Sequence, residues 1–214
     1  MDETSRGVPG LAGMEHVGLD VPNLDDAVAF FCDVIGCDLM YRHGPYSYPA
    51  GTPDADNYFV SYLGQPADTS TKIAMLRCGN GANLELFETT AASRNEHAPQ
   101  FVDRGSSHFC FFVDDMEAAV DHLRARGVNV FAGIAETFGV EGGEASTNTH
   151  FLAPWGQMLE LISYPHGRLY EQDTCLRLWR PDRAETWRPG GGPEPCLDER
   201  AAAQAGGRHR PDDE

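Results

Sequence analysis

An internal repeat constrains the fold of this chain more than any other feature. The segment HVGLDVPNLDDAVAFFCDVIG, which begins at His16, aligns with HFCFFVDDMEAAVDHLRARG, which begins at His108. Apolar residues recur at helical spacing in both copies, and each copy ends in a glycine, Gly36 or Gly127. Each copy is therefore predicted to form a strand, a short acidic turn, an amphipathic helix and a glycine stop.

The residues that flank the two predicted helices indicate where each helix begins and where the following strands lie. Asn23 is the expected N-cap of the first helix, and Asp114 or Asp115 that of the second. Pro154 and Gly156 mark a hairpin turn near the end of the second copy. Three strand-like stretches follow each helix, at 38–46, 70–78 and 82–88 and again at 128–134, 147–153 and 157–163. The chain is therefore predicted to be α+β, with two copies of a strand–helix–strand–strand–strand unit.

Charge limits the partners that the chain can have. The formal net charge is −17, and we find no Lys/Arg cluster that would offset it. Such a surface should repel nucleic acid and anionic membranes, and a bulky polyanionic substrate is disfavoured unless a local arginine counters the field. No run of about 18 apolar residues is present, as a membrane span requires. We expect a small-molecule substrate and neither nucleic acid nor membrane as a partner.

The two ends of the chain and its cysteines favour a cytoplasmic protein. The opening MDETSRGVPG lacks the apolar stretch of a signal peptide. Residues 1–11 and most of the C-terminal extension 166–214, beyond about residue 180, are predicted to be disordered because they are low in apolar content. Leu176, Leu178 and Trp179 are candidates to dock on the domain. The six cysteines lack CxxC pairs and are predicted to be reduced thiols: Cys32, Cys37, Cys78, Cys110, Cys175 and Cys196.

Two histidines occupy matching places in the repeat. Strand alternation puts Val17 and Leu19 on the face toward the helix and His16 on the opposite face. His108 has the same register in the second copy, where Phe109 faces the helix. Each copy thus presents one imidazole on the face that points away from its helix.

A glutamate between two leucines also recurs, in the last predicted strand of each copy. The leucines around Glu85 and Glu160 are expected to pack on the helix, so both carboxylates point the other way. A lone histidine or glutamate in a strand is usually structural. Because both types recur at matching places, the pattern favours one metal site formed by His16, Glu85, His108 and Glu160.

This ligand set suits a single divalent cation such as Zn, Ni, Co, Mn or Fe. Two imidazoles and two carboxylates leave about two of six octahedral positions for neighbouring oxygens of a hydroxy ketone. The ion would stabilise the charge that builds on oxygen when an adjacent C–H ionises. Glu85 or Glu160 would move the proton as the catalytic base.

Four segments resemble the signatures of the vicinal oxygen chelate superfamily, which includes glyoxalase I and bleomycin-resistance proteins. They are HVGLDVPNLDDAVAFF, ANLELFE, SHFCFFVDD and APWGQMLELISYP. The resemblance covers about residues 12–165. It implies two βαβββ modules, at about 12–90 and 105–165, that form a cupped mixed β-sheet around a metal, with the helices on the outer face and often in a homodimer. The four predicted ligands fall on the ligand positions of the family, which favours an enzyme over the binding-only members that lack them.

Three functions remain open at this stage. The first is a metal-dependent epimerase of a cyclic polyhydroxy ketone of the kind found in aminocyclitol pathways, acting through an enediolate. The second is a thiol-dependent lyase of the glyoxalase I type, which needs a cationic pocket for which Arg42, Arg77 and Arg94 are isolated candidates. The third is a drug-binding resistance protein without turnover.

The insertion 41–62 and one further histidine are additional candidate parts of the site. Tyrosine combines an apolar ring with a hydroxyl, which suits a polyol. These residues would line the cup, or else pack the sheet edge or a dimer contact. His150 is either a second acid/base or a structural residue. The insertion residues in question are Tyr41, Arg42, His43, Tyr46, Tyr48, Tyr58 and Tyr62.

Overall fold

The computed structural model describes residues 8–97, 99–100 and 102–181, and these form two consecutive βαβββ modules. The first contains β1 (His16–Asp20), α1 (Leu24–Ala29), β2 (Asp38–Ser47), β3 (Ser70–Arg77) and β4 (Asn83–Thr90). The second contains β5 (Phe109–Phe112), α3 (Met116–Ala125), β6 (Ala135–Glu136), β7 (Thr147–Leu152) and β8 (Met158–Ser163). A short helix, α2 (Tyr58–Ser61), lies between β2 and β3, and 3-10 turns cover Asp54–Asp56, Gly139–Glu141 and Leu169–Gln172. The predicted α+β fold is confirmed.

Both main helices begin and end at the residues that the sequence indicates. The side chain of Asn23 accepts a hydrogen bond from the Asp26 N–H at 3.0 Å. In the second module Asp115, rather than Asp114, caps α3. α1 continues as a π-helix over Phe30–Ile35 and stops at Gly36, whose φ of +93° is in the left-handed region that glycine adopts without strain.

The two modules have the same sheet topology. The strand orders are β1-β4-β3-β2 and β5-β8-β7-β6, with the first pair of each sheet parallel and the others antiparallel. The register places Gly18 opposite Glu85 and Cys110 opposite Glu160. In each sheet, the strand at the predicted histidine therefore lies directly beside the strand that carries the predicted glutamate.

The leucines beside both glutamates pack on the helix side of their sheets. Leu86 and Leu159 are fully buried in the core, and burying each such side chain stabilises the fold by roughly 1.5–3 kcal/mol. The modules contact each other there as well, since the Phe30 ring lies 5.7 Å from that of Trp155 and the His122 Nε2 atom lies 2.9 Å from the Val34 carbonyl oxygen. We call the face of each sheet that points away from its helix the open face. Neither α1 nor α3 covers this face, so it can carry a binding site.

The strand predicted at 128–134 is largely wrong. The first strand of that part of the sheet is β6 at 135–136, and Val130 forms only an isolated bridge with Phe151. Gly133 has a φ of +113°, outside the range of regular extended strands, so the ladder is interrupted at this point. The other predicted strands match the observed ones to within two residues at each end.

The prediction of reduced cysteines is wrong for at least three residues. Cys37 and Cys78 form a disulfide, and Cys175 is disulfide-bonded as well. The first bridge follows from the sheet: Asp38 pairs with Arg77 in the β2–β3 ladder, so the residues just outside this pair meet at the end of the two strands. Scattered spacing in the sequence does not reveal such a pairing. Among the described residues, Cys32 and Cys110 are free.

The segment after β8 contacts both modules. The Leu169 N–H donates to the Gly142 carbonyl oxygen of the second module at 2.7 Å, and the Trp179 ring lies beside Gly81 of the first module. The side chains of Leu176, Leu178 and Trp179 remain more than half exposed, so they do not dock in the buried core. The disorder predicted at the two ends falls mainly on residues 1–7 and 182–214, which lie outside the described residues. In the described part of the chain, no helix has the length and apolar character needed to cross a membrane.

Candidate metal centre

One predicted ligand pair is formed on the open face of the first module. His16 begins β1 and Glu85 lies on the parallel neighbour β4, and the imidazole Nε2 atom is 3.2 Å from the Glu85 Oε2 atom. The His16 side chain is 42% exposed and that of Glu85 is 20% exposed, so both are accessible to a ligand. The first module thus supplies one imidazole nitrogen and one carboxylate that face each other.

Two residues that the sequence analysis missed orient His16. Its Nδ1 atom is hydrogen-bonded to the Glu15 carboxylate, whose other oxygen accepts a hydrogen bond from Asn83 Nδ2 at 2.9 Å. The bond to Glu15 raises the pKa of His16, with the charge of Glu85 acting in the same direction and desolvation opposing both. Histidines that bind metals usually donate their second ring N–H to a carboxylate in this way. Glu15 could have been found as the acidic neighbour of a predicted ligand; Asn83 required the strand pairing.

The second pair has the same geometry on the open face of the second module. His108, just before β5, places its Nε2 atom 3.1 Å from Oε2 of Glu160 on β8. The other carboxylate oxygen accepts a hydrogen bond from Asn148 Nδ2 at 3.1 Å, and the His150 Nε2 atom lies 3.8 Å from Oε2. Glu160 is buried, at 8% exposure. Asn148 was also missed at the sequence level, and His150 proves to be a neighbour of a predicted ligand.

Cys110 adds a thiol to this second group. It lies opposite Glu160 in the parallel β5–β8 pair. Burial raises the pKa of the Cys110 thiol, the Glu160 carboxylate adds to the shift, and the positive charge of Arg168 opposes it. Cys110 therefore stays a neutral thiol at physiological pH beside the carboxylate.

The donor atoms of each pair fit the edge of a metal coordination shell. Two ligands at about 2.0–2.2 Å from a common ion, at right angles to each other, lie about 3 Å apart. The two observed N···O distances, 3.2 Å and 3.1 Å, match this separation. Within the part of the chain that the structure describes, however, no three His, Cys, Asp or Glu side chains form one metal-binding group. The structure brings together two of the predicted ligands in each module, and the joining of all four stays a prediction.

The aromatic side chains of the insertion 41–62 form two groups. Tyr41 pairs with Met75 and His43 with Ile73, which puts both on the open face that carries Glu85. The Tyr46 hydroxyl lies 3.1 Å from His43 Nδ1 and extends the same row. The remaining tyrosines pack elsewhere: Tyr48 contacts Phe59, and Tyr58 stacks on Tyr62.

The three arginines considered for a thiol cofactor are engaged in local contacts. Arg42 pairs with Asp25 at 2.5 Å, and Arg94 pairs with Asp20 at 3.1 Å. Arg77 donates from Nε to the Gly79 carbonyl at 3.0 Å. None of these contacts joins an arginine to either His–Glu pair.

Comparisons with known proteins agree with this fold. The family model of the Glyoxalase/Bleomycin resistance protein/Dioxygenase superfamily matches residues 15–145. A 2-epi-5-epi-valiolone epimerase from Actinomyces sp. is 39% identical over 181 residues, which cover 84% of this chain and 94% of that protein.

Solved structures support the fold in particular. A glyoxalase family protein from Bacillus cereus has a TM-score of 0.56 at 18% identity, covering 74% of this chain and 98% of that one. A glyoxylase/bleomycin resistance protein/dioxygenase domain from Frankia sp. EAN1pec has a TM-score of 0.52 at 16% identity, covering 76% and 98%. The chain belongs to the glyoxalase/bleomycin resistance/dioxygenase, or vicinal oxygen chelate, superfamily.

Proposed function

We propose that this protein is a divalent-metal-dependent epimerase that inverts a carbon next to the ketone of a cyclic polyhydroxy ketone resembling 2-epi-5-epi-valiolone. The observation that carries this proposal is the 39% identity, over most of both chains, to the Actinomyces epimerase. The presence of one accessible His–Glu pair on the open face of each module supports it. We keep a cytoplasmic location as a proposal, but the cysteines do not support it, because Cys37, Cys78 and Cys175 are disulfide-bonded.

The two carboxylates supply the acid and base that inversion requires. One of Glu85 and Glu160 takes the proton from the carbon, and the other returns a proton to the opposite face. His16, Glu85, His108 and Glu160 would hold a divalent ion such as Zn, Ni, Co, Mn or Fe, which would supply positive charge for the oxygen beside the ionising C–H. Tyr41 and Tyr46, on the same face as Glu85, offer rings and hydroxyls to the polyol.

We propose that a homodimer completes the ligand set. The His16–Glu85 pair of one protomer would meet the His108–Glu160 pair of its partner, because the two pairs lie on separate sheets and no three ligands cluster among the described residues of one chain. Exposed apolar side chains on and beside the open face of the first module, such as Met14 and Tyr41, support a surface that is covered in an assembly.

The thiol-dependent lyase is less well supported. It requires cations near the pair to hold the cofactor carboxylates, and Arg42, Arg77 and Arg94 are committed to local partners. The drug-binding alternative explains neither the retention of both His–Glu pairs nor the carboxylate that orients His16 through Nδ1.

The test is exchange and inversion in D₂O. Protein reconstituted with Co²⁺ or Zn²⁺ is incubated with 2-epi-5-epi-valiolone and followed by NMR. We expect deuterium to enter at the carbon next to the ketone together with inversion. Glu85→Gln and Glu160→Gln should lose inversion, whereas Glu117→Gln, an exposed position on α3, should retain it. Exchange without inversion would favour a proton shift on one face, as in the lyase, and absence of both with metal bound would contradict the proposal.

A further inference from the structure

A cavity beside the second module reverses the charge of the chain locally. The protein has 16 Lys and Arg against 33 Asp and Glu. The cavity, of about 470 Å³, is nevertheless lined by three arginines and one glutamate: Arg168, Arg177, Arg180 and Glu171. His166, Tyr164 and Tyr170 also contribute to its wall. A basic cavity on so acidic a protein is unusual and needs a specific explanation.

Arg168 is the buried member of this group. Its side chain is only 10% exposed, and its guanidinium lies 4.2 Å above the Tyr164 ring. Nη1 makes a long contact of 3.4 Å with Glu141, whereas Nε is buried without a hydrogen-bond partner among the described residues. A buried N–H without an acceptor is unfavourable and uncommon. Arg168 is therefore a nearly buried cation in the wall of the cavity, and one of its donors is left unsatisfied by the described residues.

Arg180 brings a charge that no carboxylate among the described residues balances. Its guanidinium lies 5.9 Å from the rings of Phe112 and Tyr164 and donates to the Tyr164 carbonyl at 3.4 Å. Within the described part of the chain it forms no ion pair. Arg177, by contrast, lies 3.4 Å from Glu171. The planar donor groups of arginine match the oxygens of a carboxylate or phosphate.

The cavity lies at one end of the open face that carries Glu160. Phe112 continues the alternation of His108 and Cys110 along β5, and Tyr164 continues that of Glu160 just past β8. The two rings contact each other at 5.0 Å. Four residues along a strand span about 13 Å, so the cavity is a separate place on the open face from the His108–Glu160 pair.

We propose that Arg168 and Arg180 form a subsite that binds an oxyanion, a phosphate or carboxylate group, beside the second module. The inference goes beyond the proposed function, whose cyclic polyhydroxy ketone carries no anionic group. Binding of the anion itself requires neither metal nor turnover. The same chemistry could serve the carboxylates of a thiol cofactor, so the experiment separates these sources.

The test is calorimetric titration of the metal-free full-length protein with inorganic phosphate, sodium acetate and reduced glutathione. We expect phosphate or acetate to bind the wild type, and Arg180→Gln and Arg168→Lys each to weaken this binding at least tenfold. Arg126→Gln, whose side chain donates to the Asp33 carbonyl outside the cavity, is the matched control and should bind as the wild type does. Thermal unfolding shows whether each variant is folded, and Arg180→Gln keeps the test valid if Arg168→Lys is not.

The outcomes separate the subsite from the proposed function. Loss of phosphate or acetate binding in folded Arg180→Gln, with binding retained by Arg126→Gln, supports the subsite even if no epimerase activity is found. Glutathione binding that exceeds that of acetate and is lost in the same variant supports the subsite and assigns it to a thiol cofactor. Equal binding of phosphate and acetate by Arg180→Gln and the wild type, or no binding of any ligand, would overturn the inference.

Discussion

His150 faces Glu160 across the β7–β8 ladder, and its Nε2 atom lies 3.8 Å from Oε2 of the carboxylate. Met75 has the corresponding position opposite Glu85 in the first module. Glu160 also accepts a hydrogen bond from Asn148, whereas Glu85 has no contact of this kind besides His16 among the described residues. The two carboxylates are therefore unequal: Glu160 is held in place, and Glu85 is freer to move.

Asn148 should matter for metal binding although it is not a predicted ligand. Asn148→Ala removes the donor to Glu160 Oε1 and lets the carboxylate rotate, so the affinity for Zn²⁺ should fall roughly 10–100-fold. A competition titration with a chelating dye measures this change. Asn129→Ala, at an exposed position away from Glu160, is the control. Unchanged affinity in Asn148→Ala would show that the hydrogen bond does not support a ligand.

The Cys37–Cys78 bridge should stabilise the first module. The double variant Cys37→Ser/Cys78→Ser loses the cross-link between the ends of β2 and β3, and the free energy of unfolding should fall by about 2–4 kcal/mol. Urea denaturation of the oxidised wild type and the variant tests this. Cys32→Ser, which removes a free thiol, should change stability far less. Equal stability of the double variant and the wild type would contradict the expectation.

Glu88 should make stability depend on pH. Its carboxylate accepts hydrogen bonds from Lys72 Nζ at 2.6 Å and from the Leu24 N–H at the start of α1 at 2.8 Å. The bond from Lys72, followed by that from Leu24, holds the pKa of Glu88 below its ordinary value. Because the folded pKa is the lower one, the stabilisation is complete above the ordinary pKa of about 4.5 and is lost as the pH falls through the folded value.

Glu88→Gln tests this assignment by chemical denaturation. At pH 7 the variant should be less stable than the wild type by about 1–3 kcal/mol, and the difference should shrink as the pH falls below about 4.5. Glu144→Gln, at an exposed position, should show no such trend. A difference that is constant from pH 7 to pH 3 would rule out the proposed role of the Glu88 charge.

The repeat predicts the fold and the His–Glu pair of each module, because strand alternation alone decides which side chains share a face. Asn148 and His150 could not be placed in the same way, since their proximity to Glu160 depends on which residues pair across β7 and β8. The predicted turn at Pro154 and Gly156 contained that information, because a hairpin centred there puts His150 opposite Glu160. The pattern along one strand thus predicts which side chains share a face, whereas contacts between strands also require the pairing register.

The disulfide and β6 were missed for a related physical reason. Cys37 meets Cys78 only because β2 and β3 pair across a long insertion, which sequence periodicity does not register. At β6 the apolar composition of 128–134 favoured a strand, but the left-handed conformation of Gly133 interrupts the ladder. In both cases a contact distant in sequence, or a single backbone conformation, outweighs the local pattern.

The most direct measurement is the amount of metal bound by the wild-type protein and by two histidine variants. Protein reconstituted with Zn²⁺ and separated from free ion is analysed for zinc by elemental analysis. If all four residues hold one ion, the wild type binds one zinc per chain, and His16→Ala and His108→Ala each lose it, while His97→Ala, at an exposed position, retains it. Retention of tight zinc binding by either His16→Ala or His108→Ala would show that the two His–Glu pairs do not share a metal.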